Sequence, residues 1–519
     1  MKSLHTAAYV IAFCTAACLM AVEIAAGRLI ARQFGNSLYT WTSIIAVILA
    51  GVTIGYYLGG RLADKFETKR ITAWLCLGSS LSTLLTLVII YYCSILSPFQ
   101  NYSYPIRVLV SVLLAFFLPS AFLGSISPVM VKRVLKISAT GKTIGVMSAL
   151  STVGGICGTI GAGFWFMTSL GPEGIVLAAA LVMACIGWSQ KPKRFIFCCW
   201  LFLVAVLFYV SVIDPSVTIG HYQLESGIET LGFRYKKSSY IYTAESQYHT
   251  ILVYDEQSRV SQSSVRVLCL DHLVHGFFNL ANPGELGYEY ERIYREITWR
   301  YSAGKDSISA FIVGAGSYTF PRWLQYEWPD ARVDVAEIDP FVVEANYIAI
   351  GLPRNTSIHT YTGDARNIID NLPDTAKYDF FYGDAFDDLT VPWHLTTLEF
   401  VQKIKKHLKP DGAYLFNVID KLESGLFLSS SYLTIQKLFK HIYLFYPNQN
   451  GIPYQRETFV IVGSDAPLDL NDWNPKYGLC GSVLSGADLD QLLEKSGNRI
   501  LTDDYAPVDN LLAPVVSER

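Results

Sequence analysis

Glycines and acids in the second half of the chain have the types and spacing that chemistry would need: Gly314-Ala315-Gly316, Glu337, Asp364 and Asp384. Glycines directly after an apolar run let the chain turn sharply and bring bare backbone against a ligand. Position 319 is Thr, so the third glycine of a dinucleotide fingerprint is missing and the turn alone says little. Glu337 adds to it, because an acid about 20 residues past such glycines is placed to accept both hydroxyls of a ribose diol. Asp364, after Gly363, could accept from an adenine amino group, and Asp384 ends the fourth strand, beside where a reacting carbon would lie. One acid at a strand end is ordinarily a helix cap or a solvated turn residue; acids at successive strand ends point to a nucleoside site.

The elements that must position these groups are legible as alternation. Apolar runs at 309–313, 333–338, 358–361, 378–382 and 413–418 are separated by helix-compatible segments, the pattern of a doubly wound parallel sheet. Ligands in such sheets lie at the carboxyl ends of the strands, where the glycines and acids fall. Upstream, 240–254 and 265–270 are rich in Tyr, Val, Ile and Thr and predict a small β-domain.

The rest of the chain is of another kind. Its 519 residues are 51% hydrophobic and only 16% charged, an average that hides two different halves. Seven apolar runs are long enough for a bilayer core of about 30 Å: near 7–30, 39–60, 71–92, 107–128, 144–168, 173–190 and 195–213. The expected organisation is a bundle of about seven transmembrane helices over 1–213, a small β-domain and gate segment over 221–300, and a nucleoside-binding α/β domain over 301–519. Lys and Arg cluster in alternate connections: Arg61, Lys65, Lys69 and Arg70; then Lys132, Arg133, Lys136 and Lys142; then Lys191, Lys193 and Arg194. The positive-inside rule puts these loops and the N-terminus in the cytoplasm, so seven spans of an inner-membrane protein place the α/β domain outside it. Glu23 inside an apolar helix is costly unless paired, and Arg28 is the expected partner or the two mark a substrate or ion path. Gly154 and Gly158 are read as close-packing positions. A net charge of −3 without a Lys/Arg run in the soluble half argues against nucleic acid. Eight of the ten cysteines lie in or beside apolar runs, and no Cys/His spacing for a metal appears, so none is expected.

Several ordered motifs resemble those of the spermidine synthases, the polyamine aminopropyltransferases. They are Glu337-Ile338-Asp339-Pro340, Gly363-Asp364-Ala365-Arg366, and Tyr378-Asp379 followed by Asp384-Ala385-Phe386-Asp387. Ser246-Gln247-Tyr248-His249 and Tyr294-Arg295-Glu296 are similar to the β-domain and gate positions of that family. The stretch from Phe34 to Thr42, with Gly55-Tyr56-Tyr57-Leu58-Gly59-Gly60-Arg61-Leu62-Ala63-Asp64, looks like its membrane-fused bacterial branch. The resemblance implies a class I methyltransferase-like Rossmann domain and decarboxylated S-adenosylmethionine, or S-adenosylmethionine, as co-substrate, without a metal. Gly314, Gly316, Glu337, Asp364 and Ala365 would hold that co-substrate. Asp384 would act on the amine or polyamine, while Tyr294, Asp387 and Tyr248 would line its path. A homodimer is one assembly open to such a chain. There are departures: Ser317 stands where the family has an Asp for the aminopropyl amine, His249 and His275 replace glutamines near the donor, and His272 replaces a glycine.

Three functions follow as expectations. The leading one is aminopropyl transfer by a membrane-anchored enzyme of polyamine biosynthesis. Methyl transfer from S-adenosylmethionine would use the same glycines and Glu337, and the loss of an acid at Ser317 favours it. Transport or sensing of a polyamine, with a soluble domain that only binds, would give Glu23 a task. Adenosyl donors are cytosolic, so a domain outside the cytoplasm would conflict with either enzyme.

Overall fold

The computed structural model describes residues 2–35, 37–96, 102–136, 140–190, 200, 240–258, 261–271, 273–386, 391–447, 456–470 and 481–516. The chain divides into two units, one of residues 1–237 with 245–247, the other of 238–244 with 248–519. In the first unit the first four apolar runs form α1 (Lys2–Phe34), α2 (Leu38–Lys65), α3 (Thr68–Leu96) and α4 (Tyr104–Leu135). The fifth and sixth form α5 (Gly141–Gly161) and α6 (Met167–Ser189), joined by a π-helical segment at Ala162–Phe166. Five stretches are thus long and apolar enough to cross a membrane among the described residues, the last being the 49 residues Gly141–Ser189. A straight helix of that length would run about 73 Å at 1.5 Å per residue, more than twice a bilayer core. Gly171, at φ +70°, followed by Pro172, breaks it into two arms. The seventh run, the 214–220 boundary and the basic residues Lys191, Lys193 and Arg194 lie outside the described residues.

Small residues set the closeness of these helices. A Cβ at Gly154 would sit 2.3 Å from the Phe13 carbonyl oxygen, and one at Gly158 would sit 2.2 Å from that of Ala17, so α5 meets α1 backbone to backbone. Glu23 is half-buried on α1. One ion pair of the bundle lies further along that helix, where the buried Arg32 guanidinium meets Glu173 of α6, and another joins Lys132 of α4 to Asp64 of α2.

The second unit begins with a four-stranded sheet, β1 (Tyr242–Glu245), β2 (Thr250–Gln257), β3 (Ser264–Leu270) and β4 (Leu273–Phe278), followed by helix α7 (Glu289–Tyr301). An eight-stranded sheet follows, in the order β12-β10-β11-β9-β8-β5-β6-β7. Its strands are β5 (Ser309–Val313), β6 (Arg332–Glu337), β7 (His359–Thr362), β8 (Tyr378–Gly383), β9 (Leu408–Lys421), β10 (His441–Tyr446), β11 (Arg456–Ser464) and β12 (Ser482–Leu484). Strands β5 to β9 pair in parallel, while β10, β11 and β12 are antiparallel. β5 and β8 are buried along their whole length, because helices cover both faces of the sheet. Phe311, Phe381 and Tyr378 enter one core with Phe400 and Ile404; Ile312, Phe380 and Tyr382 enter the other with Ile293, Tyr294 and Ile297 of α7. The chain leaves β5 toward β6 and β7, then returns to β8 on the other side of β5. The strand order therefore switches direction between β5 and β8, and a crevice opens at their carboxyl ends.

Candidate active site

The glycine turn closes one wall of this crevice. Gly314 has φ +94°, and a Cβ on it would lie 2.4 Å from the Asp384 carbonyl oxygen, so the loops after β5 and β8 touch at a position only glycine fits. The Asp384 amide in turn donates to the Val313 carbonyl at 2.9 Å. Gly316, at φ +50°, would press a Cβ against the His275 carbonyl at 2.6 Å.

Glu337 ends β6 beside that turn. The Ala315 amide donates to one of its carboxylate oxygens and the Asp339 amide to the other, each at 3.0 Å. Burial pushes the carboxyl up, and the two amides oppose that shift. Each oxygen retains acceptor capacity, so the group is held in place with lone pairs left for a further donor, although Glu337 is buried and is not part of the pocket lining around Asp384. Asp339 is buried and accepts from the Phe341 amide at 2.9 Å, capping the helix Pro340–Ala345; His249 Nδ1 stands 3.7 Å from its other oxygen.

Asp384 lines a pocket together with His275, Tyr290, Glu291, Gly314, Ser317 and Tyr294, among others. Its two oxygens have one donor each: the Tyr290 hydroxyl at 2.7 Å and the Asn417 amide nitrogen at 2.7 Å. Burial raises this carboxyl to about 6, against those two hydrogen bonds. Near neutrality such a group is ionised yet basic enough to accept a proton. Glu291, also in the pocket, is pushed to about 8 by burial and by Asp384, and its Oε2 accepts from the Tyr288 amide at 3.3 Å.

The other expected residues are distributed unevenly. Tyr294 reaches the pocket with its ring, while its hydroxyl donates to the carbonyls of Gly383 at 3.2 Å and Leu415 at 3.4 Å. Asp364 accepts from the Asn367 amide at 3.0 Å, capping the helix Ala365–Asp370, and its other oxygen meets His394 Nε2 at 2.7 Å. The Gly363 amide links this strand end to Glu337 through the latter's carbonyl at 2.8 Å. Ala365 is buried below Asp364 in the core. Tyr248 is exposed and stands apart from the pocket lining. Asp387 and His272 lie outside the described residues. Ser317 is buried, and its hydroxyl meets Thr319 Oγ1 at 2.6 Å; that hydroxyl donates to the Phe277 carbonyl at 2.6 Å. Among the described residues no cluster suited to a metal ion occurs.

Tyr290, Glu291 and Asn417 are site groups that the sequence does not single out, whereas Pro392 and His394-Leu395 resemble the membrane-fused branch without implying a role for His394. Tyr290 precedes Tyr294 by one helical turn and shares its face, which is a usable signal. Asn417 is a polar residue in the apolar run 413–418, another signal. His394 follows Pro392 and Trp393 in a segment without a period.

No family model matches the chain. Among characterised proteins it is similar to a polyamine aminopropyltransferase of Vibrio vulnificus, 28% identical over 221 residues that make up 39% of this chain and 68% of that one. It is also similar to a probable polyamine aminopropyl transferase of Bifidobacterium longum, 24% identical over 189 residues, 36% of this chain and 39% of the relative. A solved structure of a probable spermidine synthase from Corynebacterium glutamicum is 18% identical with a TM-score of 0.45, covering 50% of this chain and 96% of that one.

Proposed function

We propose, from the premise that the α/β half of this chain belongs to the spermidine synthase family, that it transfers an aminopropyl group from decarboxylated S-adenosylmethionine to a small amine or polyamine. The apolar helices of the first unit anchor it in a cell membrane. One observation carries the reading: at the switch point of the sheet, Asp384 stands against the glycine turn, its oxygens held by two neutral donors, Tyr290 and Asn417.

Glu337, fixed by the Ala315 and Asp339 amides, takes the ribose hydroxyls of the donor. An ammonium of the acceptor is drawn to the Asp384 carboxylate and gives up a proton to it. The freed nitrogen lone pair attacks the methylene next to the sulfonium. A carbon–nitrogen bond forms, the carbon–sulfur bond breaks with its electron pair, and methylthioadenosine leaves as a neutral thioether. The expected test is mass-spectrometric detection of amines lengthened by one aminopropyl unit when the purified full chain is given the decarboxylated donor and a panel of diamines. Asp384→Asn keeps size and removes the base, so turnover should fall about 10²–10⁴-fold with methylthioadenosine binding retained. Undiminished turnover in that variant removes Asp384 from the role.

Ser317 favours a second reading. Its hydroxyl is spent on Thr319, so position 317 itself offers no carboxylate to a donor's amine, although Glu291 and Asp384 line the same pocket. If S-adenosylmethionine itself is consumed and methylated products appear in the same assay, methyl transfer replaces the first reading.

A further inference from the structure

We propose that Tyr290 is the positioning residue of this pocket, fixing both the direction and the charge of the Asp384 carboxylate through its hydroxyl; the inference rests on the transfer reading above. Tyr290 is on the first turn of α7, 94 residues before its partner. Its ring is clamped on two sides, stacked on Tyr288 with centroids 5.6 Å apart and edge-on to Tyr294 at 5.5 Å. Tyr288 is itself tied down, its hydroxyl on the Val274 carbonyl at 3.0 Å and its ring 5.1 Å from that of Phe277. An aromatic ring has few rotamers to lose, so the hydroxyl enters the pocket along one direction. The bond of 2.7 Å to an acidic oxygen is of the short, charge-assisted kind.

Tyr294, one turn further on the same face, cannot do this, because its hydroxyl is spent on two backbone carbonyls. Asn417, the other donor, holds the opposite oxygen from β9. The described ion pairs place no cation on Asp384. Its negative charge is therefore supported by two dipoles, and the cation it meets is the incoming ammonium. The other titratable groups around it are Tyr288, which precedes α7, Glu291 and Tyr294 of α7, His275 of β4 and Tyr382 of β8. Burial drives the Tyr290 phenol well above its ordinary range, so it stays a donor at every pH at which the protein would work.

The consequence can be measured. A hydrogen bond to the charged form favours that form, so removing it raises the pH at which Asp384 becomes a base. In Tyr290→Phe, kcat/KM on the acid limb should be about tenfold lower, the limb moving up by about one pH unit and converging toward wild type above about pH 8. Incorporating 3-fluorotyrosine at Tyr290 keeps the ring's shape while strengthening its donor, and should move the limb the other way. A loss uniform across pH, or a limb unmoved in both variants, overturns the proposal. If the wild-type chain turns over no amine, the transfer reading fails by itself. The proposal is then read from the ¹³C carboxyl titration of Asp384 in the full chain, its signal identified by its disappearance in Asp384→Asn. The midpoint should rise in Tyr290→Phe, and an unchanged midpoint overturns it.

Discussion

A buried carboxylate is defined by what it is bonded to, and the acids of this crevice differ in that respect. Asp384 has side-chain donors from distant elements, Glu337 has two backbone amides, one from the glycine turn after β5 and one two residues on, and Asp364 divides itself between a helix end and His394. This makes Glu337 the pre-formed acceptor. Glu337→Ala should weaken methylthioadenosine binding to the full chain by about 2–3 kcal/mol, roughly 30- to 150-fold in Kd, as a charged acceptor for two hydroxyls is lost. Isothermal titration calorimetry of wild type and variant checks this. A Kd within twofold of wild type would mean that the ribose lies elsewhere. Asp364→Asn is the informative companion, because its carboxylate already serves the Asn367 amide and His394 and a base would have to share it.

Elements decide which end of a strand an acid serves. β8 carries an acid near each end, and the two do opposite work. Asp384 follows it in the crevice, whereas Asp379, at the other end, accepts from Lys305 at 2.9 Å, Lys409 at 2.7 Å and the Ser309 amide at 2.8 Å. Burial would raise the Asp379 carboxyl, but the two lysines and Ser309 outweigh it and hold it at about 2. Its pKa is depressed on folding, so the stabilisation is complete above about pH 4 and is lost as pH falls through about 2. Asp379→Asn should cost about 1–2 kcal/mol at pH 7, a figure kept small because Lys305 and Lys409 are 26% and 39% exposed and can be rehydrated. Denaturant midpoints of the α/β unit at pH 7 and pH 3 check this. The variant should lose less than wild type between them; an equal loss would show that other carboxylates carry the acid sensitivity. Helix α7 makes the same point through its periodicity. Ile293, Tyr294 and Ile297 pack on the sheet, and the same face carries Tyr290 up to the crevice mouth.

At the scale of the whole molecule, the count of membrane crossings and the chemistry constrain each other. The adenosyl donor is cytosolic, so aminopropyl transfer requires the α/β unit on that side and an even number of crossings from a cytoplasmic N-terminus. Of the five apolar stretches among the described residues, the last would cross twice if its two arms, broken at Gly171, each span the bilayer, which would make the number even up to Ser189. A fluorescent-protein fusion after Arg519 should therefore glow, and an alkaline phosphatase fusion at the same point should be inactive. The reverse result would mean that 195–213 also crosses, and would exclude a cytosolic donor.

Apolar periodicity and local chemistry were enough to find the bundle's first six helical runs, the parallel strands, the glycine turn and the acids at strand ends. Each of these depends on residues within a few positions: a run's length, an alternation, a backbone that only glycine can adopt, as at Gly314. Whether a side chain is used, and by what, depends on the order in which strands are brought together. β5 lies between β6 and β8, so Glu337 meets the amide of Ala315 and the loop after β8 meets Gly314. That order also brings Tyr290 to Asp384 across 94 residues and Asn417 to it across 33, and it turns the Tyr294 hydroxyl into the backbone beside them. No local pattern carries such a pairing, because a hydrogen bond between distant elements costs loop closure and is selected only when the packed sheet has already brought its partners within reach.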